Sequence, residues 1–243
     1  IAIVGGKRVR IRLADDLREE RSHSVSLSAD LYHTFGKVQT NLLVEGFYTI
    51  LDDVFALRDM DDAADGGKVK ERYNGSGATV RGFNVEGRTA FTRWFELQAG
   101  VTLQQSRYKE PEFWSEDAEV PPVRRMFRTP DAYGYFTASF KPVRNFTADL
   151  SGTCTGSMLV QHMAGSGVAQ DVAVSTPSFF DMNIRLSYDV RIYKEITMQL
   201  YGGVQNLFNA YQKDFDKGVD RDSGYIYGPS LPRSWFVGAK FSF

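Results

Sequence analysis

Long runs of strict alternation between apolar and polar residues constrain this chain more than any other feature. From Ser22 to Tyr32, Val25, Leu27, Ala29 and Leu31 fall on one side of an extended backbone, and Ser24, Ser26, Ser28 and Asp30 on the other. The pattern recurs with Leu97, Ala99, Val101 and Leu103, and with Phe146, Ala148, Leu150, Cys154 and Met158. It appears again with Met182, Ile184 and Leu186, and with Trp235, Val237, Ala239, Phe241 and Phe243. Less regular strands are expected near 38–58, 78–91, 131–141 and 195–206. That makes about nine strands, most of them longer than is usual in soluble sheets. Helical periodicity is nearly absent.

The connections alternate in length. Short ones fall at Phe35-Gly36-Lys37, near 90–93, at 141–145 and at 190–195. Long ones, rich in Asp, Gly, Pro and Tyr, cover 59–76, 109–130, 164–177 and 207–232. Tight turns at one end and long loops at the other describe an antiparallel up-and-down transmembrane β-barrel, whereas a soluble sandwich scatters long loops at both ends. Alternation by itself is symmetric between an apolar face turned inward to a core and one turned outward to lipid. Strand length and aromatic residues near strand ends (Tyr32, Phe35, Trp94, Phe95, Tyr108, Phe140, Phe146, Tyr188, Tyr193) favour outward, as interfacial girdles around a hydrated interior.

Composition agrees with a barrel wall. Lys+Arg number 29 against 30 Asp+Glu, a net charge of −1, so no basic excess is present to neutralise phosphates and nucleic acid is not an expected partner. Mean hydropathy is −0.32, and no window approaches the roughly 18 consecutive apolar residues of a membrane helix. The single Cys154 cannot form an internal disulfide and reads as a small lipid-facing residue. The opening Ile1-Ala2-Ile3-Val4-Gly5-Gly6-Lys7-Arg8 lacks the basic start and long apolar core of a signal peptide and does not begin with Met, so the expectation is a mature or internal piece of something longer.

The end of the chain is the most specific feature. Gly238-Ala239-Lys240-Phe241-Ser242-Phe243 places aromatics at alternate positions and stops on one, which resembles the signal that hands outer-membrane proteins to the barrel-assembly machinery. Upstream, Gln205-Asn206-Leu207-Phe208-Asn209-Ala210-Tyr211 and Tyr227-Gly228-Pro229-Ser230-Leu231-Pro232-Arg233 resemble the C-terminal signature of TonB-dependent outer-membrane receptors, in which an NLF(N/D)xxY segment closes the penultimate strand and a GxPR segment opens the last. Pro232 lacks an N–H and suits a strand start, and Asn206 and Asn209 suit a turn. Leu17-Arg18-Glu19-Glu20-Arg21-Ser22 is similar to the family's LxPExS approach to a strand, without its proline. Gly82-Phe83-Asn84-Val85-Glu86-Gly87 is similar to its GxExE strand, with Asn84 in place of the first acid, and Arg128-Thr129-Pro130 also fits.

The resemblance, which runs from about residue 17 to 243, implies an all-β fold and a partial barrel: about nine C-terminal strands of an approximately 22-stranded wall whose lumen holds a plug. Residues 1–243 are then the C-terminal part of a single barrel domain in the outer membrane of a Gram-negative bacterium. The strand count is odd, whereas bacterial single-chain barrels are even, and as a free-standing object the chain would expose two sheet edges that a bilayer does not tolerate, so the implied partners begin with missing N-terminal strands and the plug domain. The others are the TonB inner-membrane energy complex acting through the plug, the barrel-assembly machinery, outer-membrane lipid and a small-molecule nutrient. That nutrient would be an iron–siderophore, haem, cobalamin or an oligosaccharide. A passive porin or structural outer-membrane barrel shares the alternation and Phe243 but has no need of the 206–209 and 228–233 segments.

Catalysis finds no support. His23, His33 and His162 show no metal-ligand spacing, and His23 and His162 are read as polar-face lumen residues. No serine sits in a nucleophile elbow, and Gly5-Gly6, Gly66-Gly67, Gly75-Ser76-Gly77 and Gly202-Gly203 lack a phosphate-binding context. No cofactor is called for and the chain is not read as an enzyme. Two acidic stretches, 59–65 and 214–222, raise calcium as a loop-ordering ion against the simpler reading of solvated or Arg-paired loops, and neither has EF-hand spacing. For recognition, the loop aromatics Tyr73, Phe113, Trp114, Phe127, Tyr225 and Tyr227 are the candidates, because large amphipathic rings grip an extended ligand at low entropy cost.

Overall fold

The computed structural model of the chain describes residues 2–4, 7–60, 68–115, 117–193, 196–229 and 231–243. Strands β1 (Ala2–Val4) and β2 (Lys7–Leu13) open it; β3 (Arg21–Phe35) and β4 (Val38–Asp52) form a long hairpin, followed by a short one of β5 (Phe55–Met60) and β6 (Lys68–Asn74). Then come β7 (Ala78–Thr92), β8 (Phe95–Glu112), the short β9 (Val123–Arg125), β10 (Ala132–Val143) and β11 (Phe146–Thr155). The chain closes with β12 (Leu159–His162), β13 (Val172–Ser175), β14 (Phe179–Tyr193), β15 (Ile196–Gln205) and β16 (Ser234–Ser242). No helix occurs among the described residues.

Nine of these strands make one antiparallel meander in the order β16-β15-β14-β11-β10-β8-β7-β4-β3, with β9 attached to β8. They are the nine strands expected from the alternation. Their registers are in phase, so the apolar residues of each strand stand opposite those of the next. One row runs Leu31, Leu42, Gly87, Ala99, Phe136, Gly152, Met182 across seven strands. Another runs Ile184, Val204, Trp235 to the C-terminal edge. A slip of a single residue would send every side chain of a strand to the other face, so this phase is what makes one continuous apolar surface.

The opposite face is a hydrogen-bonded polar lattice. Ser24 meets Thr49 at 2.9 Å, Thr102 donates to Asn84 at 2.8 Å, and Gln98 donates to Glu86 at 2.8 Å. The Tyr135 hydroxyl also donates to Glu86, at 2.6 Å, and Ser139 donates to Asp149 at 2.8 Å. Beside the short turns, aromatic rings gather on the apolar face: Phe95 stacks on Phe140 at 4.4 Å and on Phe91 at 5.2 Å, with Trp94 6.5 Å from Phe140. Strands β3 and β16 are the two edges of the sheet, and both are open: Leu27 is 82% exposed and Val237 90%.

Several expectations are corrected. The strand expected over 38–58 ends at Asp52, where Asp53 turns the backbone with φ 54°, and β5 begins a separate hairpin. That hairpin joins β1 and β2 in a four-stranded sheet in which β2 runs parallel to β6, so the long loop at 59–76 carries its own structure. The 164–177 loop carries β13, which pairs with β12. Met158, expected on a strand, lies beyond Thr155 and packs in a loop core. His23 stands opposite Ile50 and shares the face of Val25, so it belongs to the apolar side of β3. Tyr32 lies on the polar side, donating to Asp30 at 3.0 Å, and is no girdle residue. The acidic positions Asp61, Asp62 and Asp65, the Gly5-Gly6 and Gly66-Gly67 pairs, the turn residues Lys194 and Glu195, and Ser230 lie outside the described residues.

Glycines let large rings lie flat against the sheet. A Cβ built at Gly152 would sit 2.2 Å from Phe136 Cε1 on the neighbouring strand. Gly152→Val is therefore expected to destabilise the barrel by about 1–3 kcal/mol through overpacking. Phe136→Ala on that background should recover part of the loss. Urea unfolding of the intact protein in detergent checks both; equal stability of Gly152→Val and the parent would refute the contact.

Candidate functional site

At the long-loop end, β15 leaves the sheet through a hydrogen-bonded knot built by the Asn206–Asn209 segment. Asn206 and Asn209 adopt left-handed backbone with φ 49° and 53°, a conformation Asn tolerates better than most residues. The Asn206 side chain is buried and fully used: its amide donates to Ala210 O at 2.9 Å and Leu231 O at 2.8 Å, and its oxygen accepts from Ala210 N at 2.8 Å. Its backbone N–H donates to Asn183 Oδ1 at 2.9 Å, and Arg233 N donates to Asn209 Oδ1 at 3.0 Å. One residue thus ties the base of the last loop to β14, to its own turn and to the approach to β16. Phe208 leans out onto Phe180 at 5.9 Å. Gly228 has φ 80°, and a Cβ there would stand 2.7 Å from the Phe179 ring. Pro232 and Arg233 immediately precede β16, where Gly238 accommodates Tyr201 across the strand pair, and Phe241 on the edge strand and Phe243 just beyond it are exposed.

Within the loop this knot closes, side chains from three segments form a compact core. Val160, Tyr225 and Tyr227 are buried, with Met158, Val174 and Phe179 packed on them. The Tyr225 and Tyr227 hydroxyls both donate to Asp214, at 2.7 and 2.6 Å. Gln212, buried beside them, accepts from Tyr227 N at 2.8 Å and donates to Tyr225 O at 3.1 Å. His162 stacks flat on Tyr225 with ring centroids 3.7 Å apart, and its Nε2 meets Asp216 Oδ1 at 2.9 Å. Tyr225 and Tyr227, expected as ring faces for a ligand, are instead 3% and 7% exposed, with their hydroxyls occupied. His162, expected on a lumen-facing strand surface, belongs to this core.

The electrostatics follow from the same contacts. Burial pushes Asp214 upward, but the hydroxyls of Tyr227 and Tyr225, with its own N–H and Gln212, outweigh it and hold the carboxyl below its usual range. Asp216 behaves alike: burial raises it, the Asp222 N–H and His162 lower it further, and Asp214 opposes them weakly. Burial, and then Asp214, push the Tyr225 hydroxyl well above its ordinary value. The Asp222 carboxylate accepts from Met163 N and Gly224 N, each at 2.8 Å. The carboxylates of Asp214, Asp216 and Asp222 are thus occupied by hydroxyls, amides and an imidazole, and among the described residues no group of three or more His, Cys, Asp or Glu converges as a metal-ligating set.

Beside this core lies a cavity of about 580 Å³ between the β5–β6 hairpin, the end of β8 and the 222–224 turn. It gathers three of the expected recognition residues, Phe113, Trp114 and Phe127, together with Tyr108, Glu112 and Arg128. Trp114 meets Phe127 edge-on at 5.4 Å and donates its indole N–H to Pro121 O at 3.3 Å; Phe113 is exposed. Arg128, with φ 56°, donates to Ile226 O at 2.9 Å and to Gly224 O, which joins the cavity wall to the loop core. Glu112 stands beyond the last β7–β8 pair, Ala78 with Tyr108, where burial raises its carboxyl. Tyr73 lies apart on β6, under the guanidinium of Arg58 at 4.9 Å. Tyr108, Glu112 and Arg128 join the site without a sequence signal of their own; Tyr108, expected in a girdle, sits at an even position on β8, which places it on the polar face.

The family model described as TonB dependent receptor-like, beta-barrel, matches residues 4–207. Among solved structures, the ferric-catecholate import receptor Fiu of E. coli in its closed form superposes with a TM-score of 0.62 at 17% identity, over 93% of this chain and 28% of that one. The copper transporter OprC gives 0.64 at 14% identity over 94% and 32%. The FrpB iron transporter from Neisseria meningitidis gives 0.58 at 14% over 97% and 33%. At such identities the likeness is one of fold, and this chain spans 28% to 33% of the length of those structures. No curated protein matches it.

Two outcomes follow from the knot and the loop core. Asn206→Ala removes three side-chain hydrogen bonds at a buried position and should cost about 3 kcal/mol, read as a lower unfolding midpoint of the intact barrel. Because Asp214 and Asp216 are held below their ordinary value of 3.8, their contribution is complete above about pH 4 and is lost as pH falls through the depressed values. Amide exchange at Asp222 and Tyr227 should therefore stay protected from neutral pH down to about 4 and open below it. Loss of protection already near pH 6 would refute this account.

Proposed function

Because this chain belongs to the TonB-dependent receptor-like β-barrel family, we propose that residues 1–243 form the C-terminal part of a single barrel domain in an outer-membrane receptor of a Gram-negative bacterium. The observation that supports this reading is the phase of the nine registers, which keeps one face of the sheet apolar and the other a hydrogen-bonded polar lattice, as a lipid-facing wall around a hydrated lumen requires. Water cannot satisfy an open sheet edge inside hydrocarbon, so β3 and β16 require partners, and further N-terminal strands closing the barrel around a plug domain supply them. The receptor takes up a scarce nutrient captured at its long loops, and the TonB inner-membrane complex energises release through the plug. This chain contributes wall and loops, with no bond-making chemistry. Gly238, Phe241 and Phe243 serve the barrel-assembly machinery.

The ligand is a metal chelate of the iron–siderophore type. Support comes from the ferric-catecholate, copper and iron transporters that share the fold, and from the aromatic wall of the cavity formed by Phe113, Trp114 and Phe127.

The test is uptake of radiolabelled iron chelates by cells in which the full encoded protein is the sole receptor. Uptake should saturate and should stop when the TonB complex is deleted. Uptake that persists without TonB and scales with solute size would establish a passive porin instead. Trp114→Ala and Phe127→Ala should each weaken chelate binding about tenfold, measured by tryptophan-independent equilibrium binding, while leaving the heat stability of the barrel unchanged.

A further inference from the structure

The apolar face carries one exception to its character. At the long-loop end of β7 and β8, Arg81 stands opposite Tyr48 and Gln105, and Arg107 stands opposite Thr79 and Arg125. Both arginines share the alternation of Phe83, Leu103 and Val101, so they belong to the outward face. Both are exposed. Arg81 and Arg107 are diagonal neighbours on paired strands, with Cα atoms about 7–8 Å apart. On β11, β14, β15 and β16 the same face at that end carries Cys154, Phe180, Val204 and Trp235. The same face also carries Arg21 and His23 on β3 and Asp52 on β4, but Arg21 pairs with Glu19 at 2.8 Å and Asp52 with Lys109.

Two nearby cations are neutralised and these two are not. Lys109 pairs with Asp52, and Arg125 with Asp131 at 3.1 Å. Arg81 donates only to the neutral Gln105 amide oxygen, at 2.8 Å. Among the described residues, neither Arg81 nor Arg107 has a carboxylate partner. Arg81 itself lines an open groove of about 660 Å³ that runs along Val25, Leu27, Tyr48, Phe83 and Leu103. It exists because Gly46 sits in the middle of the Leu27–Gly46–Phe83 row and contributes no side chain. Asp131 also borders it, already occupied by Arg125.

We propose that this groove and the Arg81–Arg107 pair bind a phosphorylated lipid of the outer leaflet. Its acyl chain lies over Gly46 against Leu27, Phe83 and Leu103, and its headgroup phosphate spans the two guanidiniums. An arginine fork matches phosphate oxygens in geometry as well as charge. The long loops mark the external side of a barrel, which puts the arginines at headgroup level and the groove below them in hydrocarbon. A sheet face built only to contact bulk acyl chains has no use for two unpaired arginines beside a groove opened by a missing side chain. The proposal rests on the reading of this face as lipid-facing.

The experiment uses the full encoded protein, purified in mild detergent and reconstituted in nanodiscs. Retention of three probes is compared by native mass spectrometry: bis-phosphorylated lipid A, the same lipid stripped of phosphate, and inorganic phosphate alone. The parent should retain the phosphorylated lipid at least tenfold better than the stripped one. The double variant Arg81→Gln/Arg107→Gln should lose that preference. Gly46→Leu, which fills the groove, should weaken lipid binding while both arginines remain, and lysine at both positions should restore part of the preference. Equal retention of both lipids by the parent, unchanged retention by the double variant, or complete displacement by millimolar inorganic phosphate would each overturn the proposal. A protein that inserts normally but shows no preference defeats this inference alone. A protein that fails to enter nanodiscs defeats the barrel reading beneath it.

Discussion

Everything in this structure depends on one requirement: in hydrocarbon, each backbone N–H and C=O must find its partner within the sheet. Nine consecutive strands meet it by the simplest route, each pairing with its neighbours in the meander, so that only β3 and β16 keep an unpaired side. The side chains then inherit a fixed division. Alternate positions face opposite ways, the registers are in phase, and a polar lattice such as Glu86–Gln98–Tyr135 forms behind an apolar surface without any packed core between them. The burial pattern reflects this: the buried apolar cluster of the chain sits in the loops, around Val160, Tyr225 and Tyr227.

Two kinds of device reconcile regular strands with irregular ends. Within the sheet, glycines opposite aromatics, as at Gly152 and Phe136, let a ring lie across a neighbouring strand where two side chains would collide. At the loop end, left-handed asparagines take over from the ladder. Asn206 replaces strand pairing with four hydrogen bonds of its own and carries them to β14 and to the approach to β16. The last loop therefore starts and finishes on fixed points, and its interior can be stabilised by buried carboxylates and phenols.

The strands were legible because alternation is a local signal repeated over ten or more residues. His23 and Tyr32 were also legible in principle, since each sits at a fixed parity from Val25 and Leu31, and that parity outweighs the residue types that suggested the opposite faces. The four-stranded sheet of β1, β2, β5 and β6 was not: Val9, Ile11 and Leu13 alternate with Arg8, Arg10 and Arg12, but the parallel pairing of Ile11 with Lys70 joins segments far apart in the chain, and local alternation does not name a distant partner. Tyr225 and Tyr227 were misread for a related reason. Asp214 and Gln212 lie close in sequence, but His162, which covers Tyr225, comes from another hairpin, and nothing in the sequence marks that meeting. Of the recognition candidates, Phe113, Trp114 and Phe127 share one cavity because β8 overruns its neighbour, a property of strand length that sequence pattern leaves indefinite.

The Asn206 knot has a consequence for how such a wall can diversify. By bonding to both Ala210 and Leu231, it fixes the entry and exit of the last loop independently of what lies between. The intervening residues can lengthen, shorten or change chemistry without altering the register of β15 against β16. Wall and loop in effect answer to separate constraints: strand register holds the one, and the buried Asp214–Tyr225–Tyr227 cluster the other.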